Sequence, residues 1–289
     1  MNHQQSFRQQ TSGALYLVPT PIGNLEDMTY RAVRVLQDVD KIFAEDTRHT
    51  RKLCHYFEIS TPLDSYHEHS SEGKEGKILA LLEEGGTAAL VSDAGTPLVS
   101  DPGRELVQQA VGKNIVVISL PGANAAVTAL TASGLGGGPF YFYGFLPRKK
   151  KDRQACLEKL SGVDVPILFY ESPYRLKETV SHLEENWGER QAVLARELTK
   201  QYEEILRGSL SELAQYLNQH TIKGECCVIV EGAEEDSAPA ADVWWESLDP
   251  RTHVQVYKEQ GMSAKEAIKA AAKDRGVPKQ EVYAAYHQL

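Results

Sequence analysis

Short apolar runs alternate with amphipathic stretches along the first half of the chain. Residues 14–18, 41–44, 63–66, 87–91 and 115–120 read as buried strands. Between them, 29–39 carries Tyr30, Val33, Leu36 and Val39 at helical spacing, 74–84 and 104–111 read as helices, and the small residues after Pro121 predict another. Strands alternating with helices predict a parallel sheet with right-handed crossovers. The glycine-rich segment 134–139 reads as a hinge before a second block. There, 140–144, 166–170, 191–196, 203–207 and 225–231 are strand-like, 174–185 is helical, and Ser209-Leu210-Ser211-Glu212 is a capping box opening a further helix. Hairpin-like spacings among helices predict a mixed sheet.

The rest of the chain differs in kind. Residues 233–249 hold acidic side chains and no Lys or Arg, which reads as an acidic linker, with Trp244-Trp245 suggesting that part of it packs. Residues 250–289 hold seven Lys/Arg against four Asp/Glu, a formal +3. Within them Ser263-Ala264-Lys265-Glu266 is a capping box, Gly276 stops that helix and Pro278 suits the start of the next. This helical module suits either a small nucleic-acid-binding unit or a hairpin that packs on the body or on a partner subunit. The expected division is a disordered tail at 1–13, α/β domains at 14–136 and 137–232, the linker at 233–249 and the module at 250–289.

Composition narrows the class. The chain has 289 residues, 42% hydrophobic and 25% charged, ordinary for a soluble globular protein with room for two domains. No apolar run is long enough to span a bilayer, and the Gln-rich N-terminus lacks the apolar core of a signal peptide, so a cytoplasmic protein is expected. Cys54, Cys156, Cys226 and Cys227 form no C-x-x-C pair, and neighbours on one strand point to opposite faces, so neither a zinc site nor a disulfide framework is expected. The formal charge of −9 argues against bulk attraction to nucleic acid.

Candidate chemistry collects where strands end. In parallel α/β sheets ligands bind outside the carboxyl ends of the strands. Ser92-Asp93-Ala94-Gly95-Thr96-Pro97 follows one strand; Gly95 permits close backbone approach, and Ser92, Asp93 and Thr96 offer donors and acceptors. The same loop also suits a stiff strand-to-helix turn, with Ser100 or Asp101 near a helix cap. Pro19-Thr20-Pro21-Ile22-Gly23-Asn24 follows the first strand and is no G-x-G-x-x-G, which disfavours NAD. His67-Glu68-His69 offers two ligands on one face without a third nearby, so no metal is expected.

Six segments carry a family resemblance. They are 15–27 around Pro19-Thr20-Pro21-Ile22-Gly23-Asn24, then Ala44-Glu45-Asp46-Thr47-Arg48-His49-Thr50, the Ser92 loop, Phe145-Leu146-Pro147-Arg148-Lys149, Tyr170-Glu171-Ser172-Pro173-Tyr174-Arg175 and Ala195-Arg196-Glu197-Leu198-Thr199-Lys200. Together they resemble the ribosomal RNA small subunit methyltransferase I family, of tetrapyrrole-methylase-like fold, over about residues 15–232. The resemblance implies two α/β domains of the tetrapyrrole methylase type, a parallel sheet then a mixed one, a small helical C-terminal module and a homodimer. It implies methylation of the 2′-oxygen of a cytidine in the decoding region of 16S rRNA, with S-adenosylmethionine as cofactor and the small ribosomal subunit as partner. The implied cofactor contacts are Pro21 and Ile22; Asp93, Ala94, Gly95, Thr96 and Val99; Asn124 and Ala125; Ala195 and Arg196; Glu225 and Cys226. Tyr174 stands where the family often has His, which excludes a catalytic histidine there.

The chemistry asks for alignment of oxygen, methyl and sulfur and for a proton acceptor. Glu45, Asp46, His49, His67, Glu171 and Lys200 are candidate bases, and no motif decides among them. Arg48, Arg51, Arg175 and Arg196 suit phosphate. Arg148-Lys149-Lys150-Lys151-Asp152-Arg153 sums to +4, a local field at odds with the chain average and suited to RNA. A tetrapyrrole methyltransferase and a non-catalytic nucleic-acid-binding regulator are the competing readings.

Overall fold

The computed structural model of the chain describes residues 3–6, 13–67, 72–234, 245 and 248–287. They form two compact units, Met1–Ala233 and Glu234–Leu289. Most of the expected tail, Glu68 and His69 of the His-Glu-His run, and most of the acidic stretch with Trp244 lie outside the described residues. Within the tail, Gln4 exchanges hydrogen bonds with both backbone groups of Val117.

In the first unit β1 (Ala14–Leu17), β2 (Lys41–Ala44), β3 (Leu63–Ser65), β4 (Thr87–Val91) and β5 (Val116–Ser119) form one sheet, in the order β3-β2-β4-β1-β5. Every pair is parallel, as the alternation predicts. Along β4, Ala88 and Leu90 pack with Leu79, Leu82 and Leu106, while Ala89 and Val91 pack with Val35, Leu36 and Ile118. Burial on both faces is why β4 reads as a continuous apolar run, whereas the edge strands β3 and β5, read as buried, are mostly half-buried. α1 (Tyr30–Asp38) and α2 (Thr47–Tyr56) cover one face; α3 (Glu72–Glu83) and α4 (Arg104–Gly112) cover the other.

The chain leaves β1 toward β2 on one side and leaves β4 toward β5 on the other. The loops after these two adjacent strands therefore flank the point where strand order reverses, and a crevice opens there.

The second sheet comprises β6 (Tyr141–Phe145), β7 (Ile167–Glu171), β8 (Gln191–Arg196), β9 (Glu204–Ser209) and β10 (Cys226–Val230), in the order β6-β7-β10-β8-β9. β6 and β7 run parallel and the other pairs antiparallel, the mixed sheet that the spacing predicts. Phe169, Leu194 and Val228 pack beneath α6 (Lys150–Leu160), α7 (Pro173–Trp187) and α8 (Leu210–Gln219). Leu168, Val193 and Ile229 pack on the opposite face against α5 (Ala125–Ser133) and against Ile22 of the first loop. Cys226 and Cys227 divide between these faces as read, and all four cysteines are free.

The second unit contains α9 (Pro250–Glu259), α10 (Ala264–Asp274) and α11 (Lys279–His287) around Val254, Ile268, Ala271 and Val282. Ser263 and Glu266 form the capping box reciprocally, and Gly276 turns the chain at φ +62°. Trp245 stacks on buried His253, whose Nδ1 accepts from Arg275 Nε at 3.1 Å.

Three helices escape the hydrophobic pattern. The buried face of α2 is only Thr50 and Cys54, that of α9 is His253 and Val254, and that of α6 begins with Arg153. Where a polar side chain fills a core position, periodicity has no apolar marker to count. Among the described residues no helix is long and apolar enough to cross a membrane.

Candidate functional site

Two loops are tied together at the switch point. Thr20 and Gly95 exchange backbone hydrogen bonds at 2.9 and 3.0 Å, and the Thr20 hydroxyl donates to the Ser92 carbonyl at 3.1 Å. Gly95 sits at φ +82°, a left-handed conformation that favours glycine. From the next strand ends, Thr96 Oγ1 donates to the Ala123 carbonyl at 3.0 Å, and the Asp46 N–H donates to Asp93 Oδ1 at 3.0 Å. Ala126 N–H donates to the Tyr170 hydroxyl at 3.0 Å, which ties the start of α5 to the second sheet.

This framework encloses a cavity of about 430 Å³, within the usual size of small-molecule sites. The Ser92 loop lines it with Asp93, Ala94, Gly95, Thr96 and Val99. Ile22, Asn124 and Ala125 enter from other loops of the first sheet, and Ala195, Glu225 and Cys226 from the second. Of the thirteen predicted cofactor contacts only Pro21 and Arg196 are absent from this wall. Pro21 borders a neighbouring cavity of about 450 Å³, with His49, Lys52, Tyr56 and Lys200. Arg196 is held beside the first cavity: its Nε pairs with Glu204 at 2.6 Å and its Nη1 donates to the Lys223 carbonyl at 3.3 Å.

The first cavity is lined by Glu45, Asp93, Asp101, Glu171 and Glu225, and its described wall contains no Lys, Arg or His. Small side chains at Ala94, Gly95, Ala125 and Ala195 leave a smooth apolar surface beside those carboxylates. An acid-walled site of this kind suits a cationic ligand with an apolar body. Cys226 and Cys227 offer no thiolate, since burial pushes both up to about 12.

The candidate bases separate by environment. Asp46 is held far below the usual carboxylate range by hydrogen bonds from the Arg48 side chain and backbone, and it caps α2. Glu171 has its oxygens committed: Ser172 N–H and Thr179 Oγ1 donate at 2.8 and 2.7 Å, with Arg175 at 3.4 Å. Burial alone would lower Lys200, but Glu225 and Glu197, at 2.8 and 2.9 Å, outweigh it and hold the ammonium. Glu45 lines the first cavity and His49 the second, while His67 lines neither.

The basic residues divide as well. Arg51, Arg148, Lys149, Lys150 and Lys151 are exposed, and Arg48 is exposed while paired with Asp46. Arg153 is corrected. It is 2% exposed, donates to His182 Nδ1 at 3.0 Å and pairs with Glu178, because the helix begun by the basic run turns this position inward. Arg175 also turns inward, donating to the Leu146 carbonyl at 2.9 Å beside Glu171.

Sequence reasoning missed Asp101, Phe145 and Tyr170, which also line the cavity. Asp101 does not cap α4: Gly103 holds that position at φ +127° with no side-chain bond. Burial first, and then the negative charge of Glu45, push the Asp101 carboxyl up to about 6.

The model of the tetrapyrrole (corrin/porphyrin) methylases matches residues 14–214. The chain is 52% identical over 288 residues to a ribosomal RNA small subunit methyltransferase I from Bacillus subtilis, covering 99% of each. It is 54% identical to a protein of the same name from Halalkalibacterium halodurans, covering 100% of each. Its fold is similar to the crystal structure of uroporphyrin-III C-methyltransferase from Thermus thermophilus complexed with S-adenosyl homocysteine, with a TM-score of 0.54 and 18% identity, over 76% of this chain and 97% of that one.

Proposed function

The chain belongs to the tetrapyrrole (corrin/porphyrin) methylase family and, within it, to the ribosomal RNA small subunit methyltransferase I group, and on that premise we propose that it methylates the 2′-oxygen of a cytidine in the decoding region of 16S rRNA. It is an S-adenosylmethionine-dependent methyltransferase acting on rRNA. The observation that carries the reading is the acid-walled cavity at the switch point, and the full-length relatives supply the substrate class.

The cavity's carboxylates and small apolar residues fit a sulfonium cofactor. When bound, S-adenosylmethionine supplies an electrophilic methyl group. In this reading Asp93, Ala94, Gly95, Thr96 and Val99 hold one side of it, Asn124 and Ala125 the base of α5, and Ile22, Ala195, Glu225 and Cys226 the remainder. Arg48, Arg51, Arg148, Lys149, Lys150 and Lys151 meet phosphates of the RNA, whose approach is governed by the local field, not the chain's net charge. Positioning of the hydroxyl against the methyl group can supply about 7–11 kcal/mol. The reading includes a cytoplasmic homodimer.

The test is transfer of labelled methyl from S-adenosylmethionine to purified small subunits, followed by mass spectrometry of the rRNA. One 2′-O-methylcytidine in the decoding region is expected. Label on a base, or on a tetrapyrrole precursor and not on RNA, would overturn the reading.

A further inference from the structure

We propose that Phe145 is the platform on which the base of the acceptor nucleotide stacks as its ribose enters the first cavity; the inference rests on the methyl-transfer reading above. Phe145 ends β6 and lines that cavity, yet it is 54% exposed. Among the described residues it is the one large apolar residue of the wall left exposed. Its register partner on β7 is Tyr170, so it adjoins the Glu171-Ser172-Pro173 part of the wall, which the cofactor reading leaves unused. A Cβ on Gly144 would lie 3.0 Å from Ser100 Oγ, so the end of β6 also abuts the Ser100-Asp101 part, likewise unused.

The ring is held ready. Tyr170 and Phe145 pack edge-to-face with centroids 5.7 Å apart, and the Tyr170 hydroxyl is fixed by the Ala126 N–H. Leu146 is buried in the core, and its carbonyl accepts from Arg175 at 2.9 Å, which pins the chain as it leaves the ring. A rigid surface loses little entropy when a base covers it.

The neighbouring charges select the occupant. Arg148, Lys149, Lys150 and Lys151 are all exposed, and the first of them is three residues on, at most about 11 Å along the chain. An aromatic face beside a cationic track suits single-stranded nucleic acid, whose bases stack on the ring while phosphates meet the charges. The carboxylates of the wall keep phosphates outside, so base and ribose alone pass the rim. A nucleotide whose 2′-oxygen reaches into a cavity has left its stack in the RNA, and Phe145 replaces the neighbour it lost. Every base has a π-face, so this contact holds the nucleotide without choosing it.

The test compares wild type with Phe145→Leu, which keeps an apolar side chain without a ring, and with Phe145→Tyr and Phe145→Trp, which keep a ring. Methylation of purified small subunits gives kcat/KM, and calorimetry gives S-adenosylhomocysteine affinity. Thermal melting and gel filtration report fold and oligomeric state. Phe145→Leu should lose about 5–150-fold in kcat/KM, the worth of one base stack, with the other three properties little changed. Phe145→Tyr and Phe145→Trp should keep most of the rate. The salt dependence of subunit binding should be unaltered in Phe145→Leu, because stacking neutralises no phosphate. Full kcat/KM in Phe145→Leu overturns the assignment, as does an equal loss in all three variants. A parallel fall in S-adenosylhomocysteine affinity would place the ring on the cofactor, and a changed oligomeric state would place it between copies of the chain. Either result overturns the assignment while the methyl-transfer reading stands. Failure of the wild type to label subunits overturns that reading, and this one with it.

Discussion

The backbone N–H of Asp46 donates to the carboxylate of Asp93 at 3.0 Å, so the loop after β2 hangs from the loop after β4. Asp46 in turn caps α2 and pairs with Arg48. One carboxylate thus registers the cavity wall, the position of Glu45 and the start of α2. Replacing Asp93 by Ala removes a charged acceptor, a loss of about 1.5–3 kcal/mol. Cofactor affinity should fall by roughly tenfold or more, and Asp93→Asn, which keeps an oxygen acceptor, should lose less. Calorimetry with S-adenosylhomocysteine checks this; equal affinities in all three proteins would remove Asp93 from the framework.

Gly95 lines the first cavity where the two loops meet. A Cβ there would lie 3.1 Å from Ile22 Cγ2 and 3.4 Å from the Ala123 carbonyl, on a backbone at φ +82°. The left-handed conformation alone costs a non-glycine residue about 1–2 kcal/mol. Gly95→Val is expected to fold, with a lower melting temperature, and to lose cofactor binding because the added side chain crowds Ile22 in the shared cavity wall. Circular dichroism and calorimetry separate the two effects, and wild-type affinity in a folded Gly95→Val protein would exclude this loop from the site.

The loop after β4 was legible because it follows an apolar run buried on both faces, between Leu106 and Leu36. Asp101 was not legible. It enters the cavity only because Leu98 and Ser100 adopt positive φ, which no local pattern announces, and because Glu45 comes to it from another strand. Arg153 was misread for the opposite reason. A run of charges looks solvated in one dimension, yet the helix it opens places one guanidinium against His182 and Glu178.

That correction reshapes the test of the basic run. Replacing Arg148, Lys149, Lys150 and Lys151 by Gln should leave S-adenosylmethionine affinity unchanged and weaken binding to the small subunit. Each phosphate contact contributes about −0.9 (duplex) or −0.7 (single strand) to the slope of log affinity against log salt, so two or three contacts flatten it by roughly two units. Arg153→Gln is the control: it should lower the melting temperature by unpairing Glu178 and leave the salt slope alone. An unaltered slope in the fourfold variant would mean that RNA docks elsewhere.

The raised Asp101 carboxyl is also a statement about folding. Its pKa in the native protein, about 6, lies above the ordinary value of about 3.9 in the unfolded chain. Between those values the native state binds more protons than the unfolded state, so stability falls as pH rises through the window. The penalty is absent below it and fully developed above it. Partial exposure of the site makes the penalty smaller than the shift alone would give. Asp101→Asn removes the charge and should therefore raise the melting temperature at pH 7.5, while matching the wild type near pH 4, where both side chains are neutral. Calorimetric scans at the two pH values check this, and an equal difference at both would show that repacking, not ionisation, separates the proteins. The expected variant is more stable at neutral pH because it removes an ionised carboxylate from a partly buried wall.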